Sequence, residues 1–435
     1  MDQIPIPHDL ELQLPLPEGL LKVLLVLLFL LHILFVNFMV GGVTLSFIFE
    51  IIGLKNKKYD ALAYEISRTV TVNKSLAVVL GVAPLLAINL AYTTYFYTAT
   101  SLTGIAWLMV IPAVTVAFLL TYVHKYTWEK LENNKPVHLG LAFMGLALFW
   151  FIPFIFLANV NLMLFPNRWP DVQGFISAVL LQNVIPRYLH FMLATIAVAS
   201  LFAVGWFGRK KYDIKKSLPE FTKDEVKHKF YLIAFIATLM QFIVGPLLLF
   251  TLPVHGLSLL LYGLIFPGML AVIFFMFLIW FEIKTNEKII GRHFWSVIAL
   301  LTFTVICMAF GRHYYRERAI TPHRQLVTEK TEEFYWKSEA ARTRLRMGIS
   351  KEPAKSAGET GFDKNCGVCH AKTTVLVGPS LEEIYELYED YPKGIVEWSK
   401  APEVIRGGAV MPSFAHLGDD ELLEISKYML KAATK

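Results

Sequence analysis

The sequence predicts an all-α fold: an eight-helix transmembrane bundle followed by a polar C-terminal domain on the extracytoplasmic side. Of the 435 residues, 55% are hydrophobic and the mean hydropathy is +0.50, which is too apolar for an ordinary soluble domain. Eight apolar runs are each long enough to cross about 30 Å of hydrocarbon as a helix. After the eighth run the residues become polar and charged, with helical spacing.

The elements follow in chain order. Residues 1–18 are proline-rich and acidic without Lys or Arg, and we expect an irregular outer segment. The transmembrane domain is expected over 19–313, with Thr100 and Ser101 making a tight hairpin between its second and third helices. The first run is too long for the core of a cleaved signal peptide, so we expect it to stay in the membrane. The eight runs cover 19–53, 70–98, 103–124, 138–166, 184–208, 228–252, 257–283 and 291–312.

Two further segments follow the bundle. Residues 314–358 are charged, with helical spacing to about Met347, and we expect a linker at or above the membrane surface. Residues 359–435 form the C-terminal domain.

Basic residues predict the orientation of the chain. Loops after the odd-numbered runs are rich in Lys and Arg, whereas the alternate loops are nearly empty apart from Arg168. Basic loops face the cytoplasm, so we expect both termini and the C-terminal domain on the periplasmic side of a bacterial inner membrane. The basic residues include Lys55, Lys57, Lys58, Arg68, Lys125, Lys130, Lys135, Arg209, Lys210, Lys211, Lys215, Lys216, Lys284, Lys288 and Arg292.

The C-terminal domain carries a C-x-x-C-H motif made by Cys366, Cys369 and His370. This is the attachment signature of a c-type haem, in which two thiols bond the vinyl groups and the histidine ligates the iron. Met411 is the expected opposite ligand, and a thioether there suits electron transfer. A zinc pair would need a second ligand pair, and a thioredoxin-type dithiol would need a βαβ context. The third cysteine, Cys307, is expected to be a small buried hydrophobe.

From about Gly361 to its end, the chain resembles a class I cytochrome c domain. The resemblance rests on the haem motif, on Gly378-Pro379-Ser380-Leu381, on Met411-Pro412-x-Phe414 and on a final helix from about Asp419. It implies that Pro379 supports His370 and that the last helix packs across the first. A c-type haem is attached outside the bacterial inner membrane, which agrees with the orientation predicted from the basic loops.

Two histidines lie inside apolar runs, His32 in the first and His190 in the fifth. Ionisable residues within a bilayer are costly and therefore candidates for function, and an imidazole facing a helical bundle is a natural haem ligand. Arg187, one turn before His190, is placed to pair with a haem propionate. In the alternative interpretation, each histidine only hydrogen-bonds a neighbouring helix. The small residues expected to leave room for a macrocycle are Ala194, Ala197, Gly41 and Gly42.

Other titratable residues are interpreted as solvated or surface groups. Five lie at expected cytoplasmic ends of helices: Glu50, His124, His138, Glu282 and His293. Three more are expected in loops or on the surface: His228, His323 and His416.

The first five runs resemble those of cytochrome bd oxidase subunit I. The resemblance implies that His190 ligates the low-spin haem b, with Met269 placed as its partner, and that His32 is an axial ligand in the second haem region. The matching residues are Leu31-His32-Ile33-Leu34-Phe35-Val36, Lys22 in place of an arginine, Asn73-x-x-Leu76-x-x-x-Leu80-Gly81-Val82-Ala83, Ala158-Asn159, Tyr188-x-His190 and Gly311-Arg312.

The departures from that family concern its oxygen chemistry. Ala309 stands where the family has the carboxylate that ligates the high-spin haem, and Ala106 replaces a carboxylate tied to proton supply. The long quinol-binding loop is reduced to about Pro253–Gly256, so the family's quinol site is not carried over. The resemblance thus implies a bd-type scaffold without the oxidase centre and with an added cytochrome c.

We therefore expect membrane-bound electron transfer between the quinone pool and a periplasmic redox partner, through one or two b haems and one covalent haem c. Further membrane subunits are expected, and nucleic acid is not. One alternative is a c-type variant of a bd-like terminal oxidase, in which His313 or His255 would replace the missing carboxylates. The other is a non-enzymatic anchor that presents a cytochrome c to a larger respiratory complex.

Overall fold

The structure, a computed structural model, describes residues 14–284, 289–347, 355–403 and 411–434, without the side chains of 72–76. Most of the expected outer segment, part of the 314–358 linker and the side chains of Asn73 and Leu76 thus lie outside the described residues. The chain divides into two compact units, Met1–Phe334 and Tyr335–Lys435. All regular elements in the described ranges are helices, so the all-α class is confirmed.

The first unit is a bundle of long apolar helices joined by short ones. Its helices are α1 (Glu18–Gly53), α2 (Lys57–Ala91), α3 (Thr93–Thr103), α4 (Ile105–Leu108), α5 (Val110–Tyr126), α6 (Lys135–Leu162), α7 (Phe175–Val179), α8 (Val184–Gly208), α9 (Ile214–Ser217), α10 (Lys223–Phe250), α11 (Leu259–Lys284) and α12 (Phe294–Arg346), the last of which extends into the second unit.

Within the described residues, seven helices are long and apolar enough to cross a membrane, or eight if one bent pair counts as a span. This makes the protein a multi-pass membrane protein. The bent pair is Ala77–Ala91 with Thr93–Thr103, which meet at 112°, where the sequence predicted one continuous helix over 70–98. Tyr92 leaves the helical conformation with φ −139° and ψ 44°, and its hydroxyl bonds the Glu317 carboxylate on α12.

Two predicted boundaries differ from the structure. Thr100 and Ser101 lie inside α3, and the chain turns instead at Gly104, whose φ of 57° is left-handed and suits glycine. The eighth run was expected to end near 312, but α12 continues without interruption to Arg346.

Two adjacent glycines bring α1 against its neighbours. A Cβ on Gly41 would collide with the Thr195 carbonyl and lie 2.7 Å from the Ala199 Cβ, both on α8; one on Gly42 would collide with Val70 of α2. These glycines therefore serve close helix packing. The interpretation that they leave room for a macrocycle beside His32 was wrong, because helix backbone and side chains occupy that space.

In its described residues, the second unit contains four α-helices after the end of α12: α13 (Ala357–Asn365), α14 (Leu381–Tyr388), α15 (Pro392–Lys400) and α16 (Asp419–Ala433). α13 packs against α16 closely, since a Cβ on Gly358 would collide with the Glu424 carbonyl and one on Gly361 would lie 2.7 Å from Ile425. The core is aliphatic and aromatic: Phe362, Leu381, Ile384, Ile395, Ile425, Met429 and Leu430.

Substituting Gly41→Leu should destabilise the membrane unit, because the new side chain has to separate α1 from α8. Overpacking of this kind costs about 1–3 kcal/mol. The measurement is the thermal midpoint of the detergent-solubilised protein by size-exclusion chromatography. Gly245→Ala on α10 is the control, since a Cβ there meets nothing within 4 Å and should leave the midpoint unchanged or slightly raised. Equal midpoints for both variants would contradict the proposed role of Gly41.

Candidate functional site

The C-x-x-C-H motif forms a hydrogen-bonded loop at the end of α13. The Cys366 amide bonds the Phe362 carbonyl at 2.8 Å, and the amides of Cys369 and His370 both bond the Cys366 carbonyl at 3.0 Å. The Gly378 amide then donates to the Cys369 carbonyl at 2.9 Å. The thiols and the imidazole are therefore carried on one ordered loop.

His370 is held in a defined orientation. Its imidazole is 8% exposed, and Nδ1 donates to the Pro379 carbonyl at 2.8 Å. A Cβ on Gly378 would collide with the ring, so only glycine fits beneath it. With its proton on Nδ1, the imidazole presents the Nε2 lone pair, which is the arrangement found in metal-ligating histidines.

The two thiols fit a covalently attached group better than the alternatives. Burial, followed by the nearby Cys369, raises the pKa of the Cys366 thiol to about 11, whereas a redox-active dithiol needs a lowered pKa. Within the described residues, the ligand atoms of this motif do not form a group of three within 4.8 Å of one another, as those of Glu50, His124 and His138 do. Val375, Leu376 and Val377, which follow the motif in the chain, are exposed apolar side chains.

Met411 is half-buried and is the first described residue after the 404–410 gap, which contains the preceding Gly407–Val410. His416, interpreted as a surface residue, is indeed exposed, in the short helical turn Ala415–Leu417.

His190 lies on α8 with its Nδ1 buried and without a hydrogen-bond partner in the described part of the chain. Its backbone carbonyl accepts from Gln241 of α10 at 3.4 Å. A buried imidazole nitrogen without a partner is costly and requires an explanation, and a bound ligand supplies one. Ala197 is buried and Ala194 half-buried on the same helix.

Arg187 is fixed by Asn183, the residue immediately before α8. Asn183 Oδ1 accepts from Arg187 Nε at 2.8 Å and from Nη2 at 2.5 Å. Its Nδ2 donates to the Leu248 carbonyl and to Thr251 Oγ1, both at 2.8 Å, at the end of α10. One amide thus joins α8, α10 and the guanidinium. Sequence reasoning identified Arg187 but not Asn183, whose φ of 75° has no sequence signal beyond the asparagine itself.

His32 hydrogen-bonds α2: its Nδ1 lies 2.9 Å from the Ala77 carbonyl. The ring lies over Gly81, where an added Cβ would be 2.8 Å from Cε1. This contact matches the alternative of a purely structural histidine, and it also leaves Nε2 unprotonated, as a ligand requires. Met269 lies on α11 with 47% of its surface exposed, next to the buried Gly268.

Glu317 of α12 is the centre of a polar network that the sequence did not indicate. Its Oε2 accepts from Lys22 at 2.7 Å and from Arg324 at 3.1 Å, and its Oε1 accepts from the Tyr92 hydroxyl. Lys22 was noted only through the family resemblance. The network joins the start of α1, the end of α2 and the middle of α12.

His323 was expected on the surface, and this was wrong. It is buried on α12, between the rings of Trp169 at 5.0 Å and Tyr95 at 5.5 Å between centroids. The expectation failed because α12 does not end at the last apolar run.

Glu50, His124 and His138 were expected to be solvated and are instead buried together, where α1, α5 and α6 meet. Glu282 was likewise expected at a solvated end, but is buried. It accepts from the Gly291 and His293 amides and lies 3.1 Å from His293 Nδ1. In both cases the helix ends pack against neighbouring chain, which run lengths and charge counts do not reveal.

The fold and these sites define a multi-pass helical membrane protein with several buried imidazoles. Its fold is similar to that of one chain in the structure of bd oxidase from Geobacillus thermodenitrificans, with a TM-score of 0.56 and 14% identity over 77% of this chain and 99% of that chain. The membrane unit therefore has a bd-oxidase-like helical fold. No family model matches the chain, and no curated protein matches it.

Asn183→Gly and Asn183→Ala should both release Arg187 and destabilise the protein, but to different extents. Glycine accepts the left-handed backbone, whereas alanine adds a strain of about 1–2 kcal/mol. Thermal unfolding of both purified variants measures the difference. An Ala variant as stable as the Gly variant would show that the left-handed conformation carries no cost here.

Proposed function

We propose that the protein transfers electrons between the quinone pool and a periplasmic redox partner, through haem b in the membrane unit and a covalent haem c on residues 359–435. Cys366 and Cys369 attach the haem c, and His370 and Met411 ligate it. His190 ligates haem b with Met269 as partner, and His32 holds a further haem b. When bound, these groups supply reversible one-electron transfer.

The observation that carries the proposal is the orientation of His370. The Pro379 carbonyl holds the proton on Nδ1 at 2.8 Å, so Nε2 is available beside two thiols in the spacing that haem attachment requires. Gly378 lies against the His370 ring, and because it has no Cβ the ring can occupy the space that a side chain would fill.

The membrane half rests on His190 and Arg187. The His190 Nδ1 has no partner in the described part of the chain, and the Arg187 guanidinium is oriented by Asn183, the residue immediately before α8. A cation fixed one turn from an imidazole fits a haem whose propionate carboxylates need a charge partner.

The bd-oxidase-like fold supports a role in membrane electron transfer, and the sequence favours transfer to a partner over oxygen reduction. Ala106 is buried and Ala309 is half-buried, and neither side chain can ligate iron or relay protons. By the resemblance to cytochrome bd oxidase subunit I, both alanines stand at positions where that family has carboxylates.

The proposed topology places both termini and residues 359–435 on the periplasmic side, with 314–358 as the linker. A tethered domain meets its membrane partner at high effective concentration, which favours electron exchange between the two haem sites over exchange with free cytochromes. Further membrane subunits complete the proposed assembly.

Replacing both Cys366 and Cys369 by alanine should abolish covalent haem while leaving the membrane unit intact. The protein is expressed with a cytochrome c maturation system, and haem is detected by peroxidase staining after denaturing electrophoresis. His416→Ala is the control, because this exposed histidine takes no part in attachment. A wild-type band without haem stain would refute the haem c assignment.

Substituting His190→Ala should remove a b-type signal from the pyridine haemochrome spectrum while the c-type signal remains. Reduction of haem c by a quinol should then slow by at least about tenfold, since the intervening carrier is lost. His228→Ala, at the start of α10, is the matched control.

The outcome of this experiment also separates the alternatives. Unchanged quinol-driven reduction in His190→Ala would favour an anchor that only presents a cytochrome c. Oxygen consumption by the purified wild type would favour a terminal oxidase.

A further inference from the structure

Three metal-ligating side chains converge where the ends of α1, α5 and α6 meet. Glu50, His124 and His138 are 0%, 5% and 0% exposed. Their ligand atoms all lie within 4.8 Å of one another. His124 Nε2 is 2.7 Å from Glu50 Oε2, and His138 Nδ1 contacts Glu50 Oε1.

One of the two polar contacts of the His138 ring, the one to Glu50, has no proton to form a hydrogen bond. Its Nε2 lies 2.8 Å from the backbone carbonyl of His124, which is an acceptor, so Nε2 carries the N–H. A neutral imidazole has one N–H, and Nδ1 therefore presents a lone pair to Glu50 Oε1, which is also an acceptor. Two facing acceptors need either an additional proton or a cation between them.

The nearest lysine is engaged elsewhere. Lys135 Nζ is 3.8 Å from Glu50 Oε1 but 2.6 Å from Asp60 Oδ1, and Asp60 also accepts from Trp128 Nε1 at 3.1 Å. Lys135 and Asp60 thus largely neutralise each other, and the charge of Glu50 remains available to an ion. The Trp128 ring lies 4.8 Å from both imidazoles between centroids and forms an apolar wall.

We propose that Glu50, His124 and His138 bind a Zn²⁺ ion that holds the ends of α1, α5 and α6 together. Two imidazoles and a carboxylate suit zinc or a similar transition metal, whereas magnesium and calcium prefer oxygen ligands alone. The His138 contact to a backbone carbonyl is the outer hydrogen bond that metal-ligating histidines usually make.

One residue of the cluster, His124, also lines a small cavity. A cavity of about 10 Å³ is lined by His124, Ser46, Thr121 and neighbouring residues, which is space for about one water molecule. Zinc with three protein ligands and one water is a common arrangement.

Glu282 and His293 provide an internal comparison. Glu282 is 1% exposed and also contacts an imidazole, but its oxygens accept two backbone amides. Within the described residues this pair has no second histidine. Its carboxylate is satisfied without an ion, so we expect no metal there.

The test uses the full-length protein in detergent, purified without a histidine tag, stripped with EDTA, reloaded with ZnCl₂ and desalted. Elemental mass spectrometry, which quantifies zinc and iron independently, should find about one zinc per chain. Glu50→Gln and His138→Gln should lose this zinc, and the matched control Glu282→Gln should retain it. X-ray absorption spectroscopy at the zinc edge should show nitrogen and oxygen ligands at about 2.0–2.2 Å, including imidazole.

A second measurement covers variants that fail to fold. The thermal midpoint of the stripped wild type should rise on adding ZnCl₂, because an ion that binds only the folded state stabilises it. Wild-type zinc at background after reloading, or zinc retained in Glu50→Gln, would overturn the proposal. The cluster would then be an imidazolium–carboxylate pair that shares a proton.

Discussion

The contact between α1 and α8 at Gly41 brings together two helices that carry many of the polar groups of the membrane unit. Here the backbone of α1 lies so close to the Thr195 carbonyl and the Ala199 side chain of α8 that no Cβ would fit on Gly41. α1 carries Lys22, His32 and Glu50, whereas α8 carries Arg187 and His190. Both helices are continuous, so a change of spacing at this contact would displace the polar groups on one helix relative to those on the other. In lipid such groups need partners within the protein, and the register between the two helices determines which partners they reach.

The histidines of this chain show how a carbonyl can select a tautomer. His32, His138 and His370 each direct one ring nitrogen at a backbone carbonyl, from Ala77, His124 and Pro379 respectively. Each carbonyl keeps a proton on that nitrogen and leaves the other with a lone pair. His190 differs, because its buried Nδ1 lacks a partner in the described part of the chain. At His32, His138 and His370 a ligand on the opposite nitrogen therefore requires no rearrangement of the ring, whereas at His190 only a partner on Nδ1 itself would satisfy the unpaired atom.

Local features of the fold could be predicted from the sequence, and contacts between distant segments could not. Apolar run length located the membrane helices because each helix satisfies its own backbone, and the C-x-x-C-H motif was readable because its residues are adjacent. At the bend, the Tyr92 hydroxyl bonds Glu317, more than two hundred residues later. Glu50 lies near a run of lysines, so it was assigned to solvent, although α5 and α6 bring His124 and His138 over it. Burial of a charge at a helix end depends on which other ends arrive there, and hydropathy contains no such information.

The bend at Tyr92 bears on the parity of the membrane crossings. An even number of membrane crossings returns the chain to its starting side, and an odd number leaves it on the opposite side. Both termini are proposed to lie on the same side, which requires that α2 cross the membrane completely before the chain turns by 112°. At a rise of 1.5 Å per residue, the stretch from Val70 to Ala91 extends about 33 Å, against about 30 Å of hydrocarbon. The margin is about two residues. A small deletion in this stretch would therefore leave α2 shorter than the hydrocarbon is thick, and the bilayer would have to thin locally around it.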